Sequence, residues 1–389
     1  MMKKSIKSTR VPVYRDSGYI MNDAEEMANA FKLEGKNLRD PENYIYSRYR
    51  NPTVVAAEEE IMKVEGCKWA LLMQSGMAAV DVAVSLFQNG RDTGPWLFFT
   101  EIYGGTLTYI DTVLAARRGI RIEKFGATEQ KYDLERLESI IKDLKPDFFY
   151  FEIISNPMLI VADGEEIIRL CKKHGVKTIV DNTFATPWLS KPLDYGADLV
   201  IHSATKYFSG HGNLTAGVVC GNDDLLLSES VAYRKSVGHM ISADDAYRLH
   251  TQIQTFGLRF SRQCDNALQL AEYLSGSKLV EKVWYPGLKN HPTHETAVRL
   301  FNNKGFGAMV TFTFAGTDHE KKIKRDSFIG SVSEKIKLVP TLGDPHTILM
   351  PVEPVWGDRY PDPGMLRISV GFEPGEELLH TFKEAIDSL

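Results

Sequence analysis

Residues 200–219 read "VIHSATKYFSGHGNLTAGVV", placing Lys206 where an apolar strand ends and a glycine-rich turn begins. An amine shielded from water at such a junction has a depressed pKa and attacks an aldehyde. Taken alone, a surface lysine following a strand explains the position equally well. Three other features stand at comparable junctions. In "QSGMAA", the amides of Gly76 and Met77 lie at a strand-to-helix turn, a place suited to a phosphate or simply to a tight turn. In "KTIVDNTFATP", Asp181 closes an apolar strand, where a carboxylate needs a cation or several donors. It reads as a helix cap, a metal ligand or the partner of a protonated ring nitrogen, and no neighbouring acid or histidine suggests a metal. Tyr103 in "EIYGGT" follows the strand "WLFFT" and would stack on a planar ring or pack against the core. The hydroxyls of Ser203 and Thr205 flank the lysine. Together these groups describe one ligand: a phosphate, a stacked ring, a paired ring nitrogen and an aldehyde, the chemistry of pyridoxal 5′-phosphate (PLP).

In an open parallel sheet, ligands lie beyond the carboxyl ends of the strands, so the elements must deliver these residues there. Short apolar runs ("KWALLM", "WLFFT", "DFFYFEII", "KTIVDN", "DLVIHS") alternate with helical stretches, which predicts a mainly parallel sheet covered on both faces. After about residue 245, long helices give way to "GAMVTFTFAG", "KIKLVPTLG" and "MLRISVGFE", a pattern suited to a smaller α+β domain. The expected organisation is an arm over 1–52, a large α/β domain over 53–245 and a C-terminal domain over 246–389.

Bulk properties narrow the class. The chain has 389 residues, 43% of them hydrophobic, and a formal net charge of −5, so no basic footprint points to nucleic acid. No apolar run is long enough to span a membrane, and the N-terminal stretch has no apolar core of a secretory signal. The four cysteines are scattered without a CxxC or Cys/His cluster, which predicts no metal site and a reducing, cytoplasmic setting. No GxGxxG follows the first strand, which excludes a nucleotide-binding dehydrogenase.

The segments "YSRYRNPT", "QSGMAA", "DNTFATP", "SATKYFSGHGNLTAGVV" and "MLRISVGFE", in this order over roughly residues 20–385, resemble the Cys/Met-metabolism family of PLP-dependent enzymes. Its members include cystathionine γ-lyase, cystathionine γ-synthase, methionine γ-lyase and O-acetylhomoserine sulfhydrylase. The resemblance implies an aspartate-aminotransferase-type fold with a seven-stranded, mainly parallel sheet. It implies that Lys206 condenses with the cofactor and moves protons, and that Asp181 pairs with the ring nitrogen. Ser203, Thr205, Gly76 and Met77 would hold the phosphate, and Tyr103 would stack on the ring and assist proton transfer. Asn156 and Arg367 would bind the substrate carboxylate, the latter through its guanidinium fork, with Thr341 nearby. Tyr46 and Arg48 would reach the phosphate of a neighbouring subunit, so a homo-oligomer, most simply a dimer of dimers, is implied.

The implied reaction is γ-elimination from methionine, homocysteine or a cystathionine-like amino acid to 2-oxobutanoate and ammonia. The alternative within the family is γ-replacement, as in cystathionine γ-synthase or the sulfhydrylase. A catalytically silent homologue is opposed by intact Lys206, Asp181, Tyr103 and Arg367. Three departures bear on substrate. "TLGDPHTILMPVEP" has Thr341 for the usual serine and His346 for a common glutamate, which counts against cystathionine; "YGGT" has Gly105 where methionine γ-lyases often carry cysteine; and the loop "MPVEPVWGDRYPDPG" is unusual.

Overall fold

The computed structural model describes residues 8–39, 41–90, 93–360 and 362–389. Seven strands build the larger sheet: β1 (Trp69–Met73), β2 (Trp96–Phe99), β3 (Ile122–Phe125), β4 (Phe148–Glu152), β5 (Lys177–Asp181), β6 (Leu199–His202) and β7 (Gly217–Gly221). Their order is β1-β7-β6-β5-β4-β2-β3. β7 runs antiparallel to both neighbours, and the pairs from β6 through β3 are parallel. Because both faces are covered by helices, β1, β2, β4 and β6 are buried at every position. The sheet is as the strand–helix alternation predicts.

Local chemistry sets the helices that matter for the site. Helix α1 (Ala24–Leu33) belongs to the arm and buries only Ala30. Helix α2 (Pro52–Glu65) starts at Asn51, whose side chain accepts from the amides of Thr53 and Val54, and stops at left-handed Gly66. Helix α3 (Gly76–Ser85) is capped by Ser75 accepting from Ala78 N–H, and its Ala/Val composition buries most of its length beside the sheet. Helix α4 (Gly104–Tyr109) carries the chain away from Tyr103.

A second sheet, ordered β10-β11-β12-β9-β8, is antiparallel except for the β10–β11 pair. Its strands are β8 (Val280–Trp284), β9 (Met309–Phe314), β10 (Lys337–Leu338), β11 (Ile348–Pro351) and β12 (Leu366–Ser369). The apolar stretch after residue 243 is not one helix. A 3₁₀ turn at Ile253–Thr255 separates a ten-residue helix, Ala243–Gln252, from a 21-residue one, Phe256–Gly276. The longer helix ties two cores together, burying Phe256, Phe260 and Cys264 in the first and Ala267, Leu270, Ala271 and Leu274 in the second.

One buried charge cluster fastens the arm to the sheet. Glu58 is 2% exposed; its Oε1 accepts from Leu72 N–H at 2.9 Å and from Arg234 Nη1 at 3.2 Å, and Arg50 Nη2 lies 3.0 Å from Oε2. Arg234 also donates to the carbonyls of Leu72 and Tyr49. Burial pulls its pKa down to about 10. Removing the single carboxylate leaves two buried guanidiniums facing each other. Glu58→Ala is expected to cost about 3–5 kcal/mol, read as a lowered urea midpoint; the exposed neighbour Glu59→Ala is the control, and equal shifts in both would refute the assignment.

Candidate active site

A cavity of about 290 Å³ opens beyond the carboxyl ends of β4, β5 and β6. It is lined by Gly76, Met77, Tyr103, Asn156, Asp181, Ser203, Thr205, Lys206, Thr341 and Arg367, which are ten of the twelve residues singled out in the sequence. The two it does not gather are Tyr46 and Arg48. Arg48 lies over the rings of Tyr46 and Tyr49 and donates to Lys235 O at 2.6 Å, on the arm side of the molecule.

Lys206 follows β6 in a tight turn, its amide donating to Ser203 O at 3.0 Å. The next residues are clamped by Arg259, which donates to the carbonyls of Tyr207, Phe208 and Gln252, each at 3.0 Å. From the second sheet's side, Gly343 presses against this turn: at φ +83°, any Cβ there would stand 2.8 Å from the Lys206 carbonyl carbon. The side chain is thereby aimed into the cavity, and Nζ donates to Thr341 Oγ1 at 2.6 Å. Burial, reinforced by the Arg367 charge and opposed by Asp344, lowers the amine to about 8. An amine so placed stays mostly protonated near physiological pH, but its neutral fraction is far larger than that of an ordinary lysine.

Arg367 is 4% exposed on β12. It donates to Asn156 Oδ1 at 3.1 Å and to Thr341 O at 3.0 Å, while its Nε is buried without a partner. Among the described residues no carboxylate forms an ion pair with it. Burial alone brings its pKa down to about 10, against the phenols of Tyr207 and Tyr103. A buried guanidinium with a spare donor and no counter-ion is a receptor for an anion.

Acids occupy the opposite side. Asp181 accepts from Thr183 N–H at 3.0 Å, from the Thr183 hydroxyl at 2.6 Å and from Tyr150 at 3.1 Å. Burial nevertheless raises its pKa, against those bonds and nearby His202. A carboxylate in this state is stabilised by any cation brought to it. Glu152, its register partner on β4, is held well above the usual carboxylate range by burial and by Asp181, and its Oε1 accepts from Tyr103 N–H at 2.6 Å. The Tyr103 ring itself is half exposed and folds over Gly105, where a Cβ would stand 2.4 Å from it.

The residues present fit a phosphorylated aromatic aldehyde. Gly76 has no room for a side chain, since a Cβ would approach Ser203 Oγ at 2.9 Å, so the N-terminus of α3 settles directly on Ser203. Ser203 N–H donates to Thr183 Oγ1, linking the phosphate end to Asp181. Thr205 lines the wall, but its hydroxyl bonds both the N–H and the carbonyl of Ala216.

The sequence reading passed over Glu152, Thr183, Tyr150, His202 and Asp344. Glu152 ends the apolar run "FFYFE" just as Asp181 ends "KTIVD", so one rule finds both. Thr183, two residues after Asp181, is an Asx-type turn. His202 pairs with buried Glu65 at 2.9 Å, a partner no local pattern reveals.

A mainly parallel sheet with its acid and lysine on adjoining strand ends, and a second sheet supplying an arginine, is the design of PLP-dependent enzymes of the aspartate-aminotransferase type. Comparison with known proteins narrows this. A family model described as Cys/Met metabolism PLP-dependent enzyme matches residues 1–387, and the chain belongs to that family. The chain is 34% identical over 390 residues to a cystathionine beta-lyase of Lactococcus lactis subsp. cremoris, covering 99% of this chain and 95% of that one. It is 31% identical over 402 residues to an L-methionine gamma-lyase of Treponema denticola, covering 100% and 94%. The crystal structure of cystathionine gamma synthase from Xanthomonas oryzae pv. oryzae in complex with cystathionine superposes with a TM-score of 0.84 at 27% identity, over 98% and 93% of the two chains. The protein is thus a PLP-dependent carbon–sulfur lyase of sulfur amino-acid metabolism.

The lysine's environment sets a pH signature. Because the folded pKa lies near 8, below the ordinary lysine value of 10.5, the free amine accumulates above pH 8. Protein stripped of PLP is expected to take it up with a rate that climbs about tenfold per pH unit below 8 and levels above it, followed by visible absorbance. A climb that continues past pH 9 would contradict the depressed pKa, and Lys206→Ala should show no borohydride-fixed cofactor at any pH.

Proposed function

We propose that the chain catalyses γ-elimination from an L-amino acid carrying a γ-thioether or thiol. The overall change converts substrate and water into a thiol, 2-oxobutanoate and ammonia. The observation that carries this reading is the pairing of an unneutralised, buried Arg367 with a Lys206 amine of lowered pKa across one residue, Thr341. Arg367, with Asn156, grips the α-carboxylate and fixes Cα above the amine. When bound, PLP supplies an electron sink that makes the Cα proton acidic. Lys206 removes that proton and then one at Cβ, and the Tyr103 phenol, free to move in the half-open mouth, delivers a proton to the departing sulfur. Asp181 holds the ring-nitrogen end; Gly76, Met77, Ser203 and Thr205 surround the phosphate.

The likeness to cystathionine beta-lyases favours a second reading, β-elimination to pyruvate. The two differ in their ketoacid. With methionine, homocysteine and cystathionine as substrates, chromatographic identification of 2-oxobutanoate supports the γ reading, while pyruvate alone from cystathionine and nothing from methionine sinks it. Release of ketoacid only from O-acetylhomoserine, diverted by sulfide, would instead place the chain among γ-replacement enzymes.

A homo-oligomer with shared sites completes the proposal, and a cytoplasmic setting accords with it. The arm leaves Ile20 96% exposed and Met27, Phe31 and Tyr46 largely so, an apolar surface suited to a second copy. Tyr46 and Arg48, standing away from their own cavity, are then the groups offered to the neighbour's phosphate. Arg48→Ala should lower cofactor retention on dialysis by roughly tenfold, the worth of one charge-assisted bond, while leaving the protomer's thermal unfolding in place; unchanged retention would count against a shared site.

A further inference from the structure

The unusual loop after β11 straps along one side of the cavity, touching Asn156, Arg367 and the backbone that leads into Tyr103 without itself lining the cavity. Glu353 is held by Lys322 at 2.7 Å and by Arg325 at 3.0 Å, so its base is fixed to the C-terminal half. Its far end is fixed to the large sheet. Arg359 Nη2 donates to the carbonyls of Thr100 at 2.6 Å and Ile102 at 3.2 Å, the two residues that lead into Tyr103. Tyr360 donates to Asn156 O at 3.2 Å and stacks under the Arg359 guanidinium at 5.3 Å. Between these ends the Trp356 ring covers Arg367, 5.5 Å from its guanidinium carbon.

Two donors of this strap converge above Gly104. A Cβ at that glycine would meet Arg359 Nη1 at 3.9 Å and Trp356 Nε1 at 4.0 Å, and no other atom within 4 Å outside its chain neighbours. Trp356 Nε1 has no hydrogen-bond partner among the described residues; the Arg359 guanidinium meets the Tyr360 hydroxyl and acts on Glu152 through its charge, but no described carboxylate forms an ion pair with it. The nearby acids are engaged elsewhere: Glu152 accepts from Tyr103 N–H, and Glu101 from Thr100 and Ala127. The indole borders both guanidiniums, that of Arg367 in the cavity lining and that of Arg359 beside it.

We propose that Arg359 and Trp356 form a subsite for a second carboxylate, carried on the sulfur-linked arm of the substrate. Resting on the lyase reading above, this names the substrate class: thioether amino acids whose leaving thiol bears an anionic group, preferred over simple alkyl thioethers. It offsets the argument against cystathionine drawn from His346, since the distal carboxylate gains a partner of its own.

The test separates binding from turnover. L-2-Aminosuberate and L-2-aminooctanoate have the same chain length and no leaving group, and only the first ends in a carboxylate. Spectral titration of the holoenzyme should show the diacid binding roughly 10- to 100-fold tighter. Arg359→Ala should abolish that preference, Arg359→Lys should restore part of it, and Trp356→Phe should lower it several-fold. The kcat/KM ratio of cystathionine to methionine should fall in parallel. An unchanged preference in Arg359→Ala overturns the subsite, as does an equal loss for both ligands, which would mark the strap as mere support for Tyr103. Intact preference with no thioether cleaved would sink the lyase reading and leave the subsite standing.

Discussion

Two cations, an ammonium and a guanidinium, share one buried cleft, and no described carboxylate lies within ion-pair distance of either. Thr341 is their common neighbour, taking the Lys206 proton on its hydroxyl and an Arg367 proton on its carbonyl. Burial of a cation without a partner is unfavourable, and the molecule accommodates it by lowering the amine's pKa and by keeping Arg367 on neutral acceptors. Both devices leave the site short of negative charge. Binding an anion there relieves the imbalance, so affinity for a carboxylate or phosphate comes from the unliganded state itself.

The geometry depends on backbone contacts from both sheets. Arg259 clamps the carbonyls just after Lys206, while Gly343 comes so close behind it that only glycine fits. The 340–343 segment is tied in turn to β12 by Gly343 N–H donating to Ser369 Oγ at 2.9 Å. Lys206, Thr341 and Arg367 are therefore held by one continuous set of contacts, although they lie on opposite cores. The helix Phe256–Gly276, sharing its buried face between those cores, is the stiff element that keeps the two halves in register.

The strand–helix alternation made the large sheet readable, and polar residues ending apolar runs pointed to Lys206, Asp181 and Tyr103. Those signals are local. Glu152 carried the same signal as Asp181, yet its role emerges only from register, which sets the two acids opposite each other. Arg259 and Gly343 reach the lysine turn from 50 or more residues away, and such packing leaves no periodic trace. The break at Ile253–Thr255 inside a helical pattern was equally hidden, because the flanking segments keep their apolar spacing. Tyr46 and Arg48 show the opposite case: their motif is plain in sequence, but within one chain they pack on the arm side, away from the cavity.

Net charge illustrates how far composition reaches. A value of −5 argues against a polyanion as partner, yet it says nothing of how charges are arranged inside the cleft. What decides is separation: Asp181 and Glu152 face each other at the ends of β5 and β4, while Lys206 and Arg367 meet at Thr341. Groups so separated stay available to the charges of a ligand. Mixing the four would pair them internally and leave a stable but unreceptive core, so the unpaired arrangement is the feature that makes this fold a site.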